Sequence, residues 1–538
     1  MHRSIRAAAR QALALALLAA PAAASEALDP AQTVARDPWF QAGHRAVAAM
    51  RAREPRRGVA KNVILFVGDG MSPTTITAAR ILEGQQRGQP GEEGLLSFER
   101  LPYLAHAKTW NTDAQVPDSA GTMTAMMSGV KTKAGVIGLS DRAERGDPAT
   151  MPASRVPTLF EVVEARGLAT GIVTTARITH ATPAACYAHA ANRGWESDAA
   201  LPWAARRAGV PDIARQLVAF DAGDGLEVAL GGGRAAFLPR EQADPEHPDQ
   251  RGSRRDGRDL VAAWRERFPA GRFIWSRPQL EALDLAETPR LFGLFSPSHM
   301  AYEVDRAGDA GGEPSLSEMT KAALAILARH PKGFLLMVEA GRIDHAHHAN
   351  NAYRALTETI ELARAVEAAQ ALTSRDDTLI VVTADHGHPL TLSGHPRRGN
   401  PILGLSKPPP GEGDADDDAT GRAIATLAYA TGPGNAGASE LQPAGPKRYP
   451  HRPERFEPAT GRPDLTEVDT EAPEHLQESL VPLPSGAHSG EDVTIHAGGP
   501  GAELFQGVQE QHYVYHAIVE ALGWTSGREA ASDEQAGP

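Results

Sequence analysis

The sequence predicts an α/β fold with a large, mostly parallel central sheet, helices on both of its faces, and a surface insertion. Three apolar runs support this class, at residues 62–68, 333–338 and 378–383. Each run is short, continuous and rich in branched residues, which is typical of strands buried on both faces of a parallel sheet. Strand-like and helix-like patterns also alternate from about residue 60 to residue 395, as in sheets wrapped by helices.

The individual elements follow from the same patterns. Apolar runs predict strands at residues 63–67, 169–174, 334–338, 379–383 and 493–495. Longer stretches between them predict helices at residues 74–84, 119–128, 158–166, 211–220, 317–328, 352–371 and 508–522.

The first 24 residues have the order of features of a secretory signal peptide. Arg3 and Arg6 give a positive start, residues 12–20 are apolar but too few to span a membrane, and small residues at 22–24 suit cleavage. An alanine-rich first helix is the alternative interpretation. No later segment approaches ~18 apolar residues. We therefore expect an exported protein, periplasmic or secreted, without a stable membrane anchor.

The composition changes between about residues 399 and 485. Lys407 is followed by three prolines and by an acidic run at 411–418, and proline and glycine then dominate to about residue 462. This composition predicts a surface insertion with little helix, and a disordered linker is the alternative. The segments expected are a signal peptide at 1–24, the α/β domain at 25–398 and again at 486–526, an insertion subdomain at 399–485, and a disordered tail at 527–538.

The charge and the cysteine count exclude some functions. The formal net charge is −13, which argues against nucleic acid as a partner, because phosphate backbones attract basic surfaces. The single cysteine, Cys186, excludes an intramolecular disulfide. An acidic chain can bind a phosphate only if metals or arginine reverse the local field.

Each of the three apolar runs leads into an acid: Asp69, Glu339 and Asp385. In open α/β sheets the ligand site lies outside the carboxyl ends of the strands, so we expect these carboxylates to converge. Three like charges together are costly unless cations neutralise them. The pattern therefore predicts a metalloenzyme.

Histidines near these acids extend the metal prediction. Asp344 and His348 stand at i and i+4 of an expected helix, a spacing that suits two ligands of one metal. A solvated polar helix start is the alternative, but three histidines and an aspartate within five residues favour a metal site. The pair Asp385–His386 and the loop residue His488 are weaker signals, since such residues are often structural.

Ser119 heads the expected helix at 119–128. Its hydroxyl would lie near backbone N–H donors and the positive end of the helix dipole. Capping of the helix is one role for such a serine, and a metal-activated nucleophile is another. The sequence has no Gly-x-Ser-x-Gly motif and no P-loop motif, so neither a hydrolase triad nor P-loop nucleotide binding is indicated.

Four segments together resemble the alkaline phosphatase family. They are residues 67–71 (VGDGM), 116–122 (VPDSAGT), 337–348 (MVEAGRIDHAHH) and 383–387 (TADHG). The resemblance extends over roughly residues 60–520 and is closest to the animal-type branch, as shown by residues 187–193, 353–360 and 490–493. It implies an alkaline phosphatase-like fold in which 399–485 is a crown-like subdomain.

The resemblance also implies roles for individual residues. Ser119 would be the nucleophile that becomes a phosphoserine, and Arg193 would clamp the phosphate with its planar guanidinium. Two Zn²⁺ and one Mg²⁺ per chain are implied. The implied ligands are Asp344, His348 and His488 for the first zinc; Asp69, Asp385, His386 and Ser119 for the second; and Asp69, Thr182 and Glu339 for magnesium.

Other positions show where the chain departs from parts of the family. His180 and His345 stand where other branches have an acid and a lysine, and both follow the animal-type pattern. Mg²⁺ prefers oxygen ligands, so we expect His180 to act through a water or not at all. A structural calcium site of animal-type members would involve Glu246 and Phe295, but Ser296 falls where an acid is expected. The residues therefore give no prediction on whether a calcium site exists.

The function implied is metal-dependent hydrolysis of phosphate monoesters to alcohol and inorganic phosphate through a phosphoserine, with a broad range of small-molecule substrates. A homodimer is implied as well, and no nucleic-acid partner. Two alternatives remain: a phosphodiesterase, sulfatase or other hydrolase of the superfamily, and an exported metal- or phosphate-binding protein without turnover.

Overall fold

The computed structural model describes residues 37–52, 54, 58–411 and 416–524. The expected signal peptide and C-terminal tail lie outside these residues. The chain divides into two compact units, residues 1–55 and 56–538. The described part of the first unit contains helix α1, Pro38–Arg51, and the side chain of Asp37 caps it by accepting hydrogen bonds from the N–H groups of Trp39 and Phe40.

The second unit is built on a ten-stranded sheet. Its spatial order is β15-β2-β14-β8-β1-β7-β3-β4-β6-β5. The strands are β1 Asn62–Gly68, β2 Tyr103–Lys108, β3 Ala169–Arg177, β4 Val228–Gly232, β5 Arg272–Ile274, β6 Leu291–Leu294, β7 Phe334–Ala340, β8 Thr378–Ala384, β14 Val493–Gly498 and β15 Gly507–Glu510.

The sheet is parallel except at β14, which runs antiparallel to both of its neighbours, β2 and β8. Every residue of β7 and β8 is buried, although consecutive residues point to opposite faces. Both faces are therefore covered, as in sheets flanked by helices. The predicted fold class, a large and mostly parallel sheet with helices, is confirmed.

The helices of the second unit connect and cover these strands. They are α2 Pro73–Gln86, α3 Ser119–Ser128, α4 Leu159–Ala165, α5 Ala181–Ala184, α6 Trp203–Arg207, α7 Ile213–Ala219, α8 Leu260–Arg267, α9 Arg277–Glu281, α10 Leu316–Leu327, α11 Arg342–His348, α12 Ala352–Leu372 and α13 Tyr513–Ala521. Short 3₁₀ turns lie at Ser97–Arg100, Pro148–Thr150, Asp198–Ala200, Arg234–Phe237, Arg306–Gly308 and Ala502–Leu504.

The segment 399–485 contains short strands and no helix in its described residues. Strand β10, Leu427–Gly432, lies between β9, Leu390–Leu392, and β13, Ser479–Pro482, in a three-stranded sheet. Strands β11, Lys447–Arg448, and β12, His475–Leu476, form a separate pair. Among the described helices, none has the length and apolar character needed to cross a membrane.

The predicted last helix, residues 508–522, is wrong at its start. Residues 507–510 form β15, which pairs in parallel with β2, and α13 begins only at Tyr513. The partner strand β2 lies about four hundred positions earlier in the chain, so local sequence contains no signal of the pairing. Tertiary pairing therefore overrides the helical pattern at this point.

The register of the three central strands sets the position of the predicted acids. Gly68 of β1 lies opposite Ala384 of β8, so Asp69 and Asp385 follow adjacent strand ends. Glu339 lies within β7, opposite Val67. The three carboxylates are therefore neighbours at the carboxyl edge of the sheet.

Candidate metal and phosphate site

Ser119 is the first residue of helix α3, and its side chain lies among the strand-end acids. The residue is 1% exposed. Its hydroxyl oxygen Oγ is 3.1 Å from His386 Nε2 and 3.4 Å from Asp69 Oδ1. The preceding residue, Asp118, caps the helix by accepting a hydrogen bond from the N–H of Gly121 at 3.1 Å. Ser119 is therefore free of the capping role.

A first cluster of donor atoms surrounds Asp344 on α11. Four residues, Asp344, His348, His388 and His488, offer ligand atoms within 4.8 Å of one another. Asp344 Oδ2 is 3.3 Å from His348 Nε2, and Asp344 Oδ1 is 3.4 Å from His488 Nε2. His388 Nε2 lies only 2.6 Å from Asp344 Oδ1, so His388 is placed to orient this carboxylate rather than to bind beside it.

Backbone carbonyls orient two histidines of this cluster. His488 Nδ1 is 2.9 Å from the carbonyl oxygen of Pro117, and His348 Nδ1 is hydrogen-bonded to the carbonyl oxygen of Gly486. A ring nitrogen that faces a carbonyl must carry a proton, so the Nε2 atoms are left as lone-pair donors. The two Nε2 atoms lie 3.1 Å apart and are both available to one cation.

A second cluster lies at the ends of β1 and β8. His386 Nε2 is 3.4 Å from Asp69 Oδ1 and 3.5 Å from Asp385 Oδ2. Asp385 uses its other oxygen, Oδ1, to accept hydrogen bonds from the N–H groups of Gly70 at 3.0 Å and His386 at 2.9 Å. The Oδ2 atom of Asp385 is buried and has no hydrogen-bond partner.

A third group contains Asp69, His180 and Glu339, whose donor atoms lie within 4.8 Å of one another. Thr182 is fully buried nearby on α5. Three oxygens, Asp69 Oδ2, Glu339 Oε1 and Thr182 Oγ1, are buried without a hydrogen-bond partner. Such orphaned oxygens are unusual in a folded protein and fit a hard cation.

The carboxylates of the site have strongly shifted pKa values. Burial and the charges of Asp385, Asp344 and Glu339 raise the pKa of Asp69 well above its ordinary value. Burial also raises the pKa of Glu339 to about 8 and that of Asp385 to about 7. Three carboxyls that resist ionisation together fit divalent cations, which remove the repulsion.

The imidazoles are shifted in the direction that metal binding requires. Burial and the neighbouring His488 lower the pKa of His386 well below its ordinary value, and burial lowers the pKa of His488 too. Asp344 is the exception among the acids, because three histidines outweigh its burial and hold its pKa well below the usual range. The lowered pKa values of His386 and His488 favour the neutral imidazole, which is the form that binds metal.

Arg193 is hydrogen-bonded to Asp118, the residue that precedes Ser119, and is held from two sides. Its Nη1 donates to Asp118 Oδ2 at 3.1 Å, and its Nη2 is 3.0 Å from His180 Nε2. A guanidinium can only donate, so His180 accepts through Nε2 and carries its proton on Nδ1. In this arrangement His180 supports Arg193 and does not offer a lone pair to a cation.

Three residues near the site were not predicted from the sequence. His388 stands two positions after His386, and this spacing is a usable signal. Asp118 directly precedes Ser119, but the sequence does not show its contact with Arg193. His299 had no sequence signal, yet its ring lies 4.0 Å from that of His345 and 5.3 Å from that of His180.

The region around Glu246, which would match the animal-type calcium site, contains several charged residues. Glu246 accepts a hydrogen bond from Arg234 Nη2 at 2.8 Å and another from the N–H of Gly311 at 3.2 Å. Glu246, His247 and Asp309 offer donor atoms within 4.8 Å of one another. Arg234 also donates to both carboxylate oxygens of Asp244, at 2.7 and 2.6 Å, so two acids share its charge.

Comparisons with known proteins agree with this geometry. The sequence model of the alkaline phosphatase family matches residues 60–524. The chain is 44% identical over 496 residues to the tissue-nonspecific alkaline phosphatase of Gallus gallus, covering 90% of this chain and 89% of that protein. It is 40% identical over 519 residues to the corresponding isozyme of Homo sapiens, covering 94% and 93%.

Among solved structures, the alkaline phosphatase of Thermus thermophilus matches with a TM-score of 0.61 and 26% identity, covering 89% of this chain and 94% of that one. The chain therefore belongs to the alkaline phosphatase family and is an enzyme, a phosphomonoesterase. The predicted resemblance, including its closeness to animal-type members, is confirmed.

Proposed function

We propose that this enzyme hydrolyses phosphate monoesters in two displacements through a phosphoserine at Ser119. The supporting observation is that Ser119 Oγ lies 3.1 Å from His386 Nε2 and 3.4 Å from Asp69 Oδ1, while Arg193 is bonded to the preceding residue, Asp118. In the first step Ser119 Oγ attacks phosphorus, and the alcohol oxygen leaves and takes up a proton. In the second step water attacks the phosphoserine, which releases inorganic phosphate and restores the serine hydroxyl.

Arg193 binds the phosphoryl group in both steps. Its guanidinium matches two phosphoryl oxygens, which a lysine cannot do. Asp118 and His180 hold it in place before substrate arrives, so little ordering is needed on binding. Because Arg193 would recognise only the phosphoryl group, the proposed enzyme would accept a broad range of alcohols.

The donor sets support two Zn²⁺ and one Mg²⁺ per chain. Asp344, His348 and His488 would hold the first zinc, and Asp69, Asp385, His386 and Ser119 would hold the second. Asp69, Thr182 and Glu339, which offer only oxygens, would hold magnesium. When bound, these ions lower the pKa of a hydroxyl and stabilise the charge on a leaving oxygen. His345 and His180 would lie behind the magnesium ligands.

The proposal extends to location and assembly. The order of features in residues 1–24 supports export to the periplasm or the medium. The family resemblance supports a homodimer. The partners expected are small phosphate monoesters, and the net charge of −13 supports no nucleic-acid partner.

The nucleophile is tested with Ser119→Ala and a matched control, Ser128→Ala, on the same helix. Ser128 is also a buried serine, but its hydroxyl donates to the carbonyl of Thr124 at 2.7 Å. Ser119→Ala should lose at least about 1000-fold in kcat/KM and form no acid-stable phosphoprotein from labelled substrate. A labelled phosphoprotein that persists in Ser119→Ala would overturn the assignment.

The substrate class and metals are tested on the wild-type enzyme. A nitrophenyl phosphate monoester should be hydrolysed far faster than the matching diester or sulfate. Elemental analysis should find two zincs and one magnesium per chain, and chelation should abolish turnover until zinc and magnesium are returned. A faster diester or sulfate reaction would favour another reaction of the superfamily, and bound metal without any turnover would favour a binding protein.

A further inference from the structure

His347 lies between two residues of the candidate site, Asp344 and His348, but belongs to neither metal cluster. It is fully buried. Its Nδ1 is 2.7 Å from the hydroxyl of Tyr429, and its Nε2 is 3.0 Å from the hydroxyl of Thr75. A neutral imidazole donates a hydrogen bond at one nitrogen and accepts one at the other, and a hydroxyl can be either the acceptor or the donor. Both ring nitrogens are therefore satisfied.

The hydrogen bonds at His347 join two separate parts of the fold. Thr75 lies in the first turn of α2, and its hydroxyl is 3.0 Å from that of Ser72, the N-cap of the same helix. Tyr429 lies in the middle of β10, inside the insertion 399–485. The ring of His347 is thus fixed between the helix that follows Asp69 and the sheet of the insertion.

The ring of His347 also packs on the cluster around Asp344. It stacks on the ring of His388, with centroids 5.1 Å apart and an angle of 24° between the planes. His388 Nε2 is hydrogen-bonded to Asp344 Oδ1, while its buried Nδ1 has no hydrogen-bond partner. The Nδ1 side of the His388 ring is therefore held by packing and not by a hydrogen bond. The stacked ring of His347 provides part of this packing.

Tyr429 is well placed to hold this arrangement. It is 3% exposed, and its backbone N–H donates to the carbonyl of Glu478 at 2.8 Å, so the strand around it is fixed. Burial also raises the pKa of its hydroxyl well above the ordinary value. The hydroxyl therefore keeps its proton in alkaline solution.

We propose that Tyr429 is a positioning residue for the metal cluster of Asp344, His348 and His488. Its hydroxyl fixes His347, the His347 ring fixes His388, and His388 fixes the Asp344 carboxylate. The inference rests on the proposed function, which makes this cluster the first zinc site. In this proposal the insertion helps to hold the metal ligands in place through Tyr429, a residue that would contact neither a metal ligand nor the substrate.

The test uses the full-length, zinc-loaded enzyme and the variant Tyr429→Phe, which removes only the hydroxyl. Zinc content and hydrolysis of a nitrophenyl phosphate are followed over time in excess chelator. Loss of an outer hydrogen bond that orients a ligand typically weakens metal binding by 10- to 100-fold. We expect Tyr429→Phe to lose zinc about 10-fold faster than wild type. Excess zinc should restore its turnover, with KM close to the wild-type value.

Tyr513→Phe is the matched control. The hydroxyl of Tyr513 donates to the carbonyl of Leu504 at 3.0 Å and not to a residue of helix α11. This variant should lose zinc at the wild-type rate. Equal rates for Tyr429→Phe and Tyr513→Phe would overturn the inference. Thr75→Val removes the other hydrogen bond to His347 and should also speed zinc loss, so it decides the question if Tyr429→Phe does not fold.

The two proposals fail in different ways. A wild-type enzyme that binds zinc but hydrolyses no monoester would overturn the proposed function. The comparison of zinc-loss rates would then still decide whether Tyr429 holds the cluster.

Discussion

Asp118 Oδ2 accepts a hydrogen bond from Arg193 Nη1 at 3.1 Å, and this pair joins Arg193 to the residue that precedes Ser119 at the start of helix α3. The other oxygen of Asp118, Oδ1, accepts hydrogen bonds from the N–H groups of Gly121 at 3.1 Å and Gly135 at 2.9 Å. One carboxylate therefore orients both Ser119 and Arg193. The two jobs use different oxygens and can be separated by substitution.

We expect Asp118→Asn and Asp118→Ala to differ in stability but not in phosphate binding. Asparagine keeps an oxygen that can cap the helix, whereas alanine removes the cap at a cost of about 1 kcal/mol. Both release Arg193, so inorganic phosphate should inhibit each about fivefold more weakly, a loss near 1 kcal/mol. Urea unfolding and phosphate inhibition constants check the two effects. Unchanged inhibition in both variants would contradict the role given to the pair.

Metal binding should release protons from the site. Burial raises the pKa of Asp385 to about 7 and that of Glu339 to about 8, so these two metal-free carboxyls hold protons at pH 6.5. Adding zinc and magnesium at pH 6.5 should release about two protons per chain, and fewer at pH 9, where both carboxyls are already ionised. An indicator dye in weak buffer measures the release.

Glu339→Gln is the control for this measurement. It removes one titrating carboxyl from the site, so at pH 6.5 it should release about one proton fewer than wild type. Proton release that is equal at pH 6.5 and pH 9 would show that the carboxyls are not the source.

Glu164, a buried carboxyl outside the candidate metal site, predicts that the fold loses stability at alkaline pH. Glu164 is 1% exposed, its Oε2 has no hydrogen-bond partner, and burial raises its pKa to about 8. Because the pKa of Glu164 is higher in the folded state than in the unfolded state, binding of its proton stabilises the fold. This contribution is full below about pH 4.5 and is lost as pH rises through about 8. The wild-type free energy of unfolding should therefore fall by about 2 kcal/mol between pH 6 and pH 9 from this group.

Glu164→Gln should remove that part of the pH dependence, because glutamine stays neutral. Its amide oxygen can still accept the hydrogen bond from Thr170, whose hydroxyl contacts Glu164 Oε1. Urea unfolding at pH 6 and pH 9 measures the difference. Glu144→Gln, at a side chain that is 65% exposed, is the control and should follow wild type. Parallel curves for Glu164→Gln and wild type would refute the prediction.

Asn350 combines a left-handed backbone conformation with three side-chain hydrogen bonds. Its φ is 55°, and its Oδ1 accepts from the N–H of Gly434 at 2.9 Å. Its Nδ2 donates to the carbonyls of Thr431 at 3.0 Å and His347 at 3.3 Å. Asn350→Gly loses the side-chain bonds only, while Asn350→Ala adds a backbone cost of about 1 kcal/mol. The free energy of unfolding should fall in the order wild type, glycine, alanine. Alanine as stable as glycine would show that the φ value stores no strain.

The centre of the sheet could be predicted because its signal is local. The runs that became β1, β7 and β8 are continuous and apolar, since both of their faces are buried. The long helix α12 was predicted at residues 352–371 and ends one residue later, because its apolar pattern runs over five turns. Family resemblance was not needed for these elements.

The edge of the sheet could not be predicted in the same way. Strands β5 and β15 have three and four residues, and both include exposed positions. Such segments are strands only because a distant partner offers hydrogen bonds, and a single sequence does not show that partner. The predicted helix over β15 failed for this reason.

In the candidate site, too, local relationships could be predicted from the sequence and long-range contacts could not. Asp344 and His348 could be paired from their spacing, because both lie on one helix. The contacts between Asp118 and Arg193, and between His347 and Tyr429, join residues that are 75 and 82 positions apart. Only the folded chain shows that these residues meet.

The long segment between β8 and β14, residues 385–492, can vary in length between members of this family. The N–H of Ser489 donates to the carbonyl of Gly387 at 2.9 Å, so the chain leaves and returns through one pair of bonded residues. Closing a loop costs little more when the loop is longer, so evolution can lengthen or trim this segment without moving Asp385 or His386. An exchange of this segment between relatives would have to keep the residues it contributes around Asp344, which are His388, Tyr429 and His488.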